Sequence, residues 1–200
     1  MTVTAITIAA KPKTLVDADI VVGKDILELL ANAMYIDPLT IYREYVQNAA
    51  DSIDEARMAG LSLDEPHITV HLDHSSRSVR IRDNGESIPN QDFVKRITAI
   101  GASHKRGTTL RGFRGVGRLS GLGYCQELIF RGKAEGDSKI VEVSWNSRAL
   151  KEKMRDASYS GSLIDIIREV VSYKELPATD KAERFFEVEL KKIQRLKNDL

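Results

Sequence analysis

The sequence predicts an α+β protein, a two-layer sandwich in which a mixed, mostly antiparallel sheet is covered on one face by helices. Two observations predict it. Segments of helical period dominate the early part of the chain, and segments of period two dominate the late part, with one intervening pair of strands. Helices and strands segregated in this way pack as separate layers around one core. At 200 residues, 42% apolar and 30% charged, the chain is long enough to bury one substantial core and is expected to be a single domain.

Residues 4–9 alternate loosely with β-branched side chains and are expected as an edge strand. Residues 25–34 place Ile26, Leu29, Leu30 and Ala33 on one side of a helix. Asp37-Pro38 is a helix start, a capping carboxylate followed by proline at the first helical position. The helix it opens passes Glu44, Asn48 and Asp51 and is expected to stop at Gly60. Residues 67–73 and 79–83 alternate with period two on either side of a polar link and form a hairpin, whose second strand runs into Asp83-Asn84-Gly85. A short helix over 90–99 follows, then a segment rich in Gly, Ser, Thr, Lys and Arg as far as Arg118. So long a segment inside a domain is more often a functional loop than filler. Residues 128–133 and 140–145 read as strands around a Gly136-Asp137 turn, 146–155 as a short helix, and 163–173 and 185–190 as further strands. The charged run 189–200 has no turn or cap that would close a fold, so the chain is expected to be the N-terminal part of a longer protein.

Lys plus Arg (30) nearly cancels Asp plus Glu (29), so bulk charge gives no argument for a nucleic-acid or membrane surface. Cys125 is the only cysteine, which excludes an internal disulfide framework and a cysteine-based zinc cluster. No basic residue precedes the mild apolar run near the N-terminus, and no stretch approaches the ~20 apolar residues of a membrane span. A cytoplasmic protein is expected.

Three constellations carry chemistry. In the helix from Pro38, at about 100° per residue, Glu44, Asn48 and Asp51 fall within about 60° of one another, flanked by the apolar or small Tyr45, Val46, Ala49, Ala50 and Ile53. Such a stripe suits a partly buried pocket. The second is Ile81-Arg82-Asp83-Asn84-Gly85-Glu86-Ser87-Ile88-Pro89, where a carboxylate at a strand end beside glycine can accept from an exocyclic amine while the backbone turns closely past a flat ring. Alone, Asp-Asn-Gly reads as a turn. The third runs from Ile100 to Gly123. Between Phe93 and Gln126 there is no Asp or Glu, while Lys95, Arg96, Lys105, Arg106, Arg111, Arg114 and Arg118 are all basic. Glycine-rich backbone leading into a helix offers N–H groups to an anion, and a phosphate chain is the implied ligand. A nucleic-acid backbone is the competing anion, with only Phe113 and Tyr124 as stacking groups.

In this order the three constellations resemble the GHKL ATPases, the superfamily of DNA gyrase B, the ninety-kilodalton heat-shock chaperones, histidine kinases and MutL. Arg43-Glu44 through Asn48, Ala49 and Asp51 is similar to the N box in the form those chaperones carry. Asp83-Asn84-Gly85 resembles the adenine box. Arg111 to Leu122 resembles the glycine-rich lid and the helix after it, in a Gly112-Phe113-Arg114-Gly115 form similar to MutL and a Gly115-Val116-Gly117 form similar to the chaperones. The likeness covers about 36–124. It departs at Ser87, where the adenine box has its second glycine, and in the late Gly-Thr, which has no clear counterpart although 185–190 resembles the strand that carries it.

The resemblance implies a Bergerat fold that binds Mg²⁺-ATP and hydrolyses it. Glu44 would be the catalytic base and Asn48 the Mg²⁺ ligand, with Asp51 at the pocket base and Asp83 accepting from the adenine amine. Asn84, Gly85 and Ile88 would line the base site. Gly101, Ser103 and Lys105 would start the lid, and Gly112, Arg114, Gly115, Val116 and Gly117 would meet the phosphates. Lid closure would favour a homodimer of the full-length protein, acting on a client or effector the sequence does not name. The alternatives are a DNA-acting ATPase of the MutL or gyrase kind and a nucleotide-sensing module of a prokaryotic defence protein.

Overall fold

The structure, a computed structural model, describes residues 38–61, 65–100, 117–178, 180 and 183–194. The strand expected at 4–9, the helix expected at 25–34, Asp37 and the greater part of the glycine-rich loop lie outside them. Helix α1 spans Pro38–Met58. It buries Ile41, Tyr45, Ala49, Ile53 and Ala56, the i, i+4 stripe of an amphipathic helix. Gly60, at φ +71°, ends it as expected in the left-handed region that a side chain disfavours.

Strands β1 (Ile68–Asp73) and β2 (Ser78–Asp83) form the expected hairpin. Helix α2 (Asn90–Thr98) and a 3-10 helix (Gly117–Gly123) stand on either side of the loop. Strands β3 (Glu127–Lys133) and β4 (Lys139–Asn146) turn at Gly136, which takes φ +82°. Helix α3 is Ser147–Arg155, capped by Asn146, whose side chain accepts from Ala149 N.

The strand expected at 163–173 is instead a helix and a strand, α4 (Leu163–Val170) and β5 (Val171–Pro177). Ser162 and Asp165 form a reciprocal capping box at its start, and Leu163, Ile166 and Val170 are buried at helical spacing. The β-branched content of the segment conceals that period. Strand β6 (Phe185–Lys191) closes the series.

The sheet order is β1-β2-β6-β3-β4-β5, and every pairing among the described residues is antiparallel. The last strand therefore lies inside the sheet, between β2 and β3. One face of the sheet meets the helices. Val79 and Ile81, Val188 and Leu190, Leu128 and Phe130, and Val141, Val143 and Trp145 share a core with Ile41, Tyr45, Phe93, Ile97, Leu119, Leu150 and Ile166. Gly132 is required here because its missing Cβ would lie 2.2 Å from the Phe93 ring, so α2 packs flush on β3.

The opposite face carries a row of alternating charge. Arg82, Glu187, Arg131, Glu142 and Lys174 stand directly opposite one another on β2, β6, β3, β4 and β5. Arg131 Nη1 reaches Glu187 Oε1 at 2.8 Å and its Nε reaches Glu142 Oε2 at 2.6 Å. Lys174 Nζ lies 2.9 Å from Glu142 Oε1, and Arg82 Nη1 lies 3.6 Å from Glu187 Oε2. The long basic side chains cover Glu142 and Glu187, both buried.

Candidate functional site

The first constellation sits on the flank of the α1 core stripe. Asp51 is buried, while Glu44 and Asn48 are half-buried, and Arg43 and Asp54 point outward on the far side. Glu44 lies against the start of the 3-10 helix: a Cβ at Gly117 would fall 2.0 Å from its Oε1. The next residue fixes the same junction. Tyr45 donates its hydroxyl to Arg118 O at 2.9 Å and accepts from Gly121 N at 2.9 Å. Gly121 must be glycine for this, since its Cβ would lie 2.6 Å from the Tyr45 oxygen.

The second constellation meets the other end of α1. Asp83 ends β2 at 2% exposure and accepts from Gly85 N at 3.0 Å. Burial raises its carboxyl to about 6, opposed by a hydrogen bond from Ser52 and the Gly85 amide. A Cβ at Gly85 would lie 2.4 Å from the Ser52 backbone carbon, so the turn passes flush against the helix, and Glu86 N donates to Ser52 O at 3.0 Å. Gly85 thus serves close approach, and Asp83 is held against α1.

Ser87, the departure from the glycine pattern, adopts φ +64°, the region where glycine is favoured. Its buried hydroxyl donates to Phe185 O at 2.7 Å, and Arg184 Nε donates to Gly85 O at 3.0 Å. The turn after Asp83 is therefore tied to the start of β6 by the serine hydroxyl. Phe186 pairs with Asp83 across β2 and β6, so β6 is the neighbour of the Asp83 strand that the resemblance implies. Asn84 spends both ends of its amide on the entry to β1, accepting from His67 N and donating to Glu65 O, each at 2.9 Å. Ile88 is half-buried against the core.

Of the third constellation, Gly117 is among the described residues, and Gly101, Ser103, Lys105, Gly112, Arg114, Gly115 and Val116 lie outside them. Sequence reasoning did not single out Ser52 or Arg184, and it named Tyr45 only as an apolar neighbour of the polar stripe and Arg118 only as one of the basic residues of the acid-free segment.

The structure thus brings Glu44 and Asp83 to two stations along one helix. Glu44 and the Asp83-contacting Ser52 are eight residues apart, about 12 Å along the axis. A hydrogen-bond acceptor for a ring amine at one end and a carboxylate able to orient water at the other suit an elongated ligand. Among the described residues no group of three or more His, Cys, Asp or Glu could hold a metal ion, and the half-buried Asn48 amide offers a hard oxygen donor. One such donor fits Mg²⁺, which keeps water and phosphate oxygens as its other ligands. Among the described residues no helix is long and apolar enough to cross a membrane.

Residues 39–173 match the family described as histidine kinase-, DNA gyrase B-, and HSP90-like ATPase. The chain is similar to the chaperone protein HtpG of Idiomarina loihiensis, 26% identical over 144 residues, 62% of this chain and 23% of that protein. It is similar to HtpG of Streptomyces coelicolor at 28% over 150 residues, 63% of this chain and 23% of that protein. The chain spans less than a quarter of the length of these curated relatives, at 23% of each.

Proposed function

Because the chain belongs to the family of histidine kinase-, DNA gyrase B- and HSP90-like ATPases, we propose that it binds Mg²⁺-ATP and hydrolyses it as the ATPase module of a larger chaperone-like protein. The observation that carries the reading is the pair of stations on α1, with buried Asp83 held at Ser52 and Glu44 packed on Gly117. Asp83 accepts the adenine amine, with the backbone at Gly85 passing close to the ring. Glu44 orients the attacking water and takes its proton. Asn48, one turn on, offers its side-chain oxygen to Mg²⁺, and Asp51 shapes the pocket floor. Bound Mg²⁺-ATP supplies the phosphoryl group and the ion that neutralises it. The glycine-rich residues 101–117 meet the phosphates as a lid, and its closure favours a homodimer in the cytoplasm. The chaperone-like role rests on the HtpG relatives.

The test is turnover and binding on matched variants. Glu44→Ala is expected to leave ATP binding within a few-fold of wild type and to abolish turnover. Unchanged turnover would remove Glu44 as the base. The MutL-like sequence Gly112-Phe113-Arg114-Gly115 favours a DNA-acting ATPase as second reading. Stimulation of turnover by added DNA would select it over the chaperone-like role.

A further inference from the structure

We propose that Arg118, with Arg96 beside it, contacts the terminal phosphate of the bound nucleotide and sets the preference for triphosphate over diphosphate. This rests on the nucleotide reading above. Arg118 follows Gly117, the residue on which the Glu44 carboxylate rests, and its own carbonyl is held by Tyr45 at 2.9 Å. It therefore belongs to the Glu44 end of α1 and not to the Asp83 end. A base that activates water for attack on the terminal phosphate must stand within reach of that phosphate. The residue fixed beside the base shares the neighbourhood.

The arginine is equipped for an anion that the described protein does not supply. One terminal nitrogen, Nη2, donates to Ala99 O at the end of α2, while the buried Nε has no partner among the described residues. No carboxylate pairs with Arg118 among the described residues, and no acidic residue occurs between Phe93 and Gln126. Burial pulls its pKa below the ordinary value, and the like charge of Arg96, in the last turn of α2, adds to the pull. Capping the C-terminus of α2 accounts for one of its five donors. It does not account for a second arginine, Arg96, in the last turn of the same helix end, a like charge that an anion between the two would offset. A planar guanidinium suits phosphate oxygens in paired hydrogen bonds.

The experiment is calorimetry with Mg²⁺ and two probes, adenylyl imidodiphosphate and ADP, on wild type, Arg118→Gln and Arg96→Gln. Wild type is expected to bind the triphosphate analogue more tightly than ADP. Arg118→Gln is expected to weaken the analogue at least tenfold and Arg96→Gln severalfold, both leaving ADP within twofold. Equal weakening of both probes, or no change in the analogue, overturns the assignment while leaving the nucleotide reading intact. Wild type that binds neither probe overturns the nucleotide reading and the assignment with it. Should Arg118→Gln fail to fold through loss of the α2 cap, Arg96→Gln, which carries no such bond among the described residues, decides.

Discussion

The carboxylate of Glu44 rests on Gly117 with no room for a side chain between them: a Cβ there would come within 2.0 Å of Oε1 and 2.6 Å of Cδ. The obstacle is the far end of a flexible side chain, so Gly117→Ala is expected to fold and to push the Glu44 carboxylate aside. Displacing a catalytic group by about 1 Å can cost on the order of 10²-fold in rate. Steady-state kinetics should show kcat falling by about that factor with KM little changed, and an unchanged kcat would separate Glu44 from the chemistry.

Asp83 trades stability for binding. Its folded-state pKa of about 6 lies above the ordinary 3.8, so the folded protein binds its proton more tightly than the unfolded chain does. The stabilisation is fully present below pH 3.8 and is lost as pH rises through 6, at a cost on the order of 3 kcal/mol at neutral pH. Asp83→Asn is expected to melt higher than wild type at pH 8, to lose that advantage at pH 4, and to bind ADP more weakly. Melting curves at the two pH values together with calorimetry check all three.

Ser87 sets a strained backbone against a hydrogen bond. A non-glycine residue in the left-handed region costs about 1–2 kcal/mol, and the hydroxyl bond to Phe185 O returns about 1 kcal/mol. Ser87→Gly is expected to leave stability within about 1 kcal/mol of wild type, because strain and bond leave together. Ser87→Ala keeps the strain, orphans the carbonyl, and should lose about 2 kcal/mol. Urea midpoints in the reverse order would show that the hydroxyl does not hold the turn.

Tyr45→Phe removes one donor and one acceptor from the junction of α1 and the 3-10 helix, breaking the bonds to Arg118 O and from Gly121 N. A loss of about 2–3 kcal/mol is expected by chemical denaturation. A change below about 0.5 kcal/mol would mean that packing alone holds the junction.

The elements that follow one period were legible in the sequence. The α1 stripe, the hairpin, the turn at Gly136 and the strand over 185–190 are where their residues foretell them, α1 and β2 because each buries a single face. The segment 163–173 was not, since Ile164, Ile166, Ile167 and Val170 suggest a strand by composition and only the cap at Ser162 discloses a helix. Nor was the placement of β6 between β2 and β3 readable, because it depends on pairings distant in the chain. Glu44 was singled out by its place on one helix face and Asp83 by its place at a strand end beside glycine, with their roles implied by the resemblance, but the use of Gly85 and Gly117 as seats for Ser52 and Glu44 is visible only once the helix is docked.

The alternating row on the open face bears on the order in which the sheet can assemble. Strands β2 and β3 precede β6 in the chain and are free to meet first, yet each presents an arginine, Arg82 and Arg131, at the row. Like charges directly opposite across strands are destabilising. The charge pattern thus disfavours direct pairing of β2 with β3 and favours the acidic strand β6, whose Glu187 and Glu189 pair with Arg131, between them. Arg82→Gln with Arg131→Gln, which removes the like charges, is expected to lower the yield of refolded protein by more than its loss of stability accounts for. If the yield tracks stability alone, charge plays no part in keeping β2 and β3 apart.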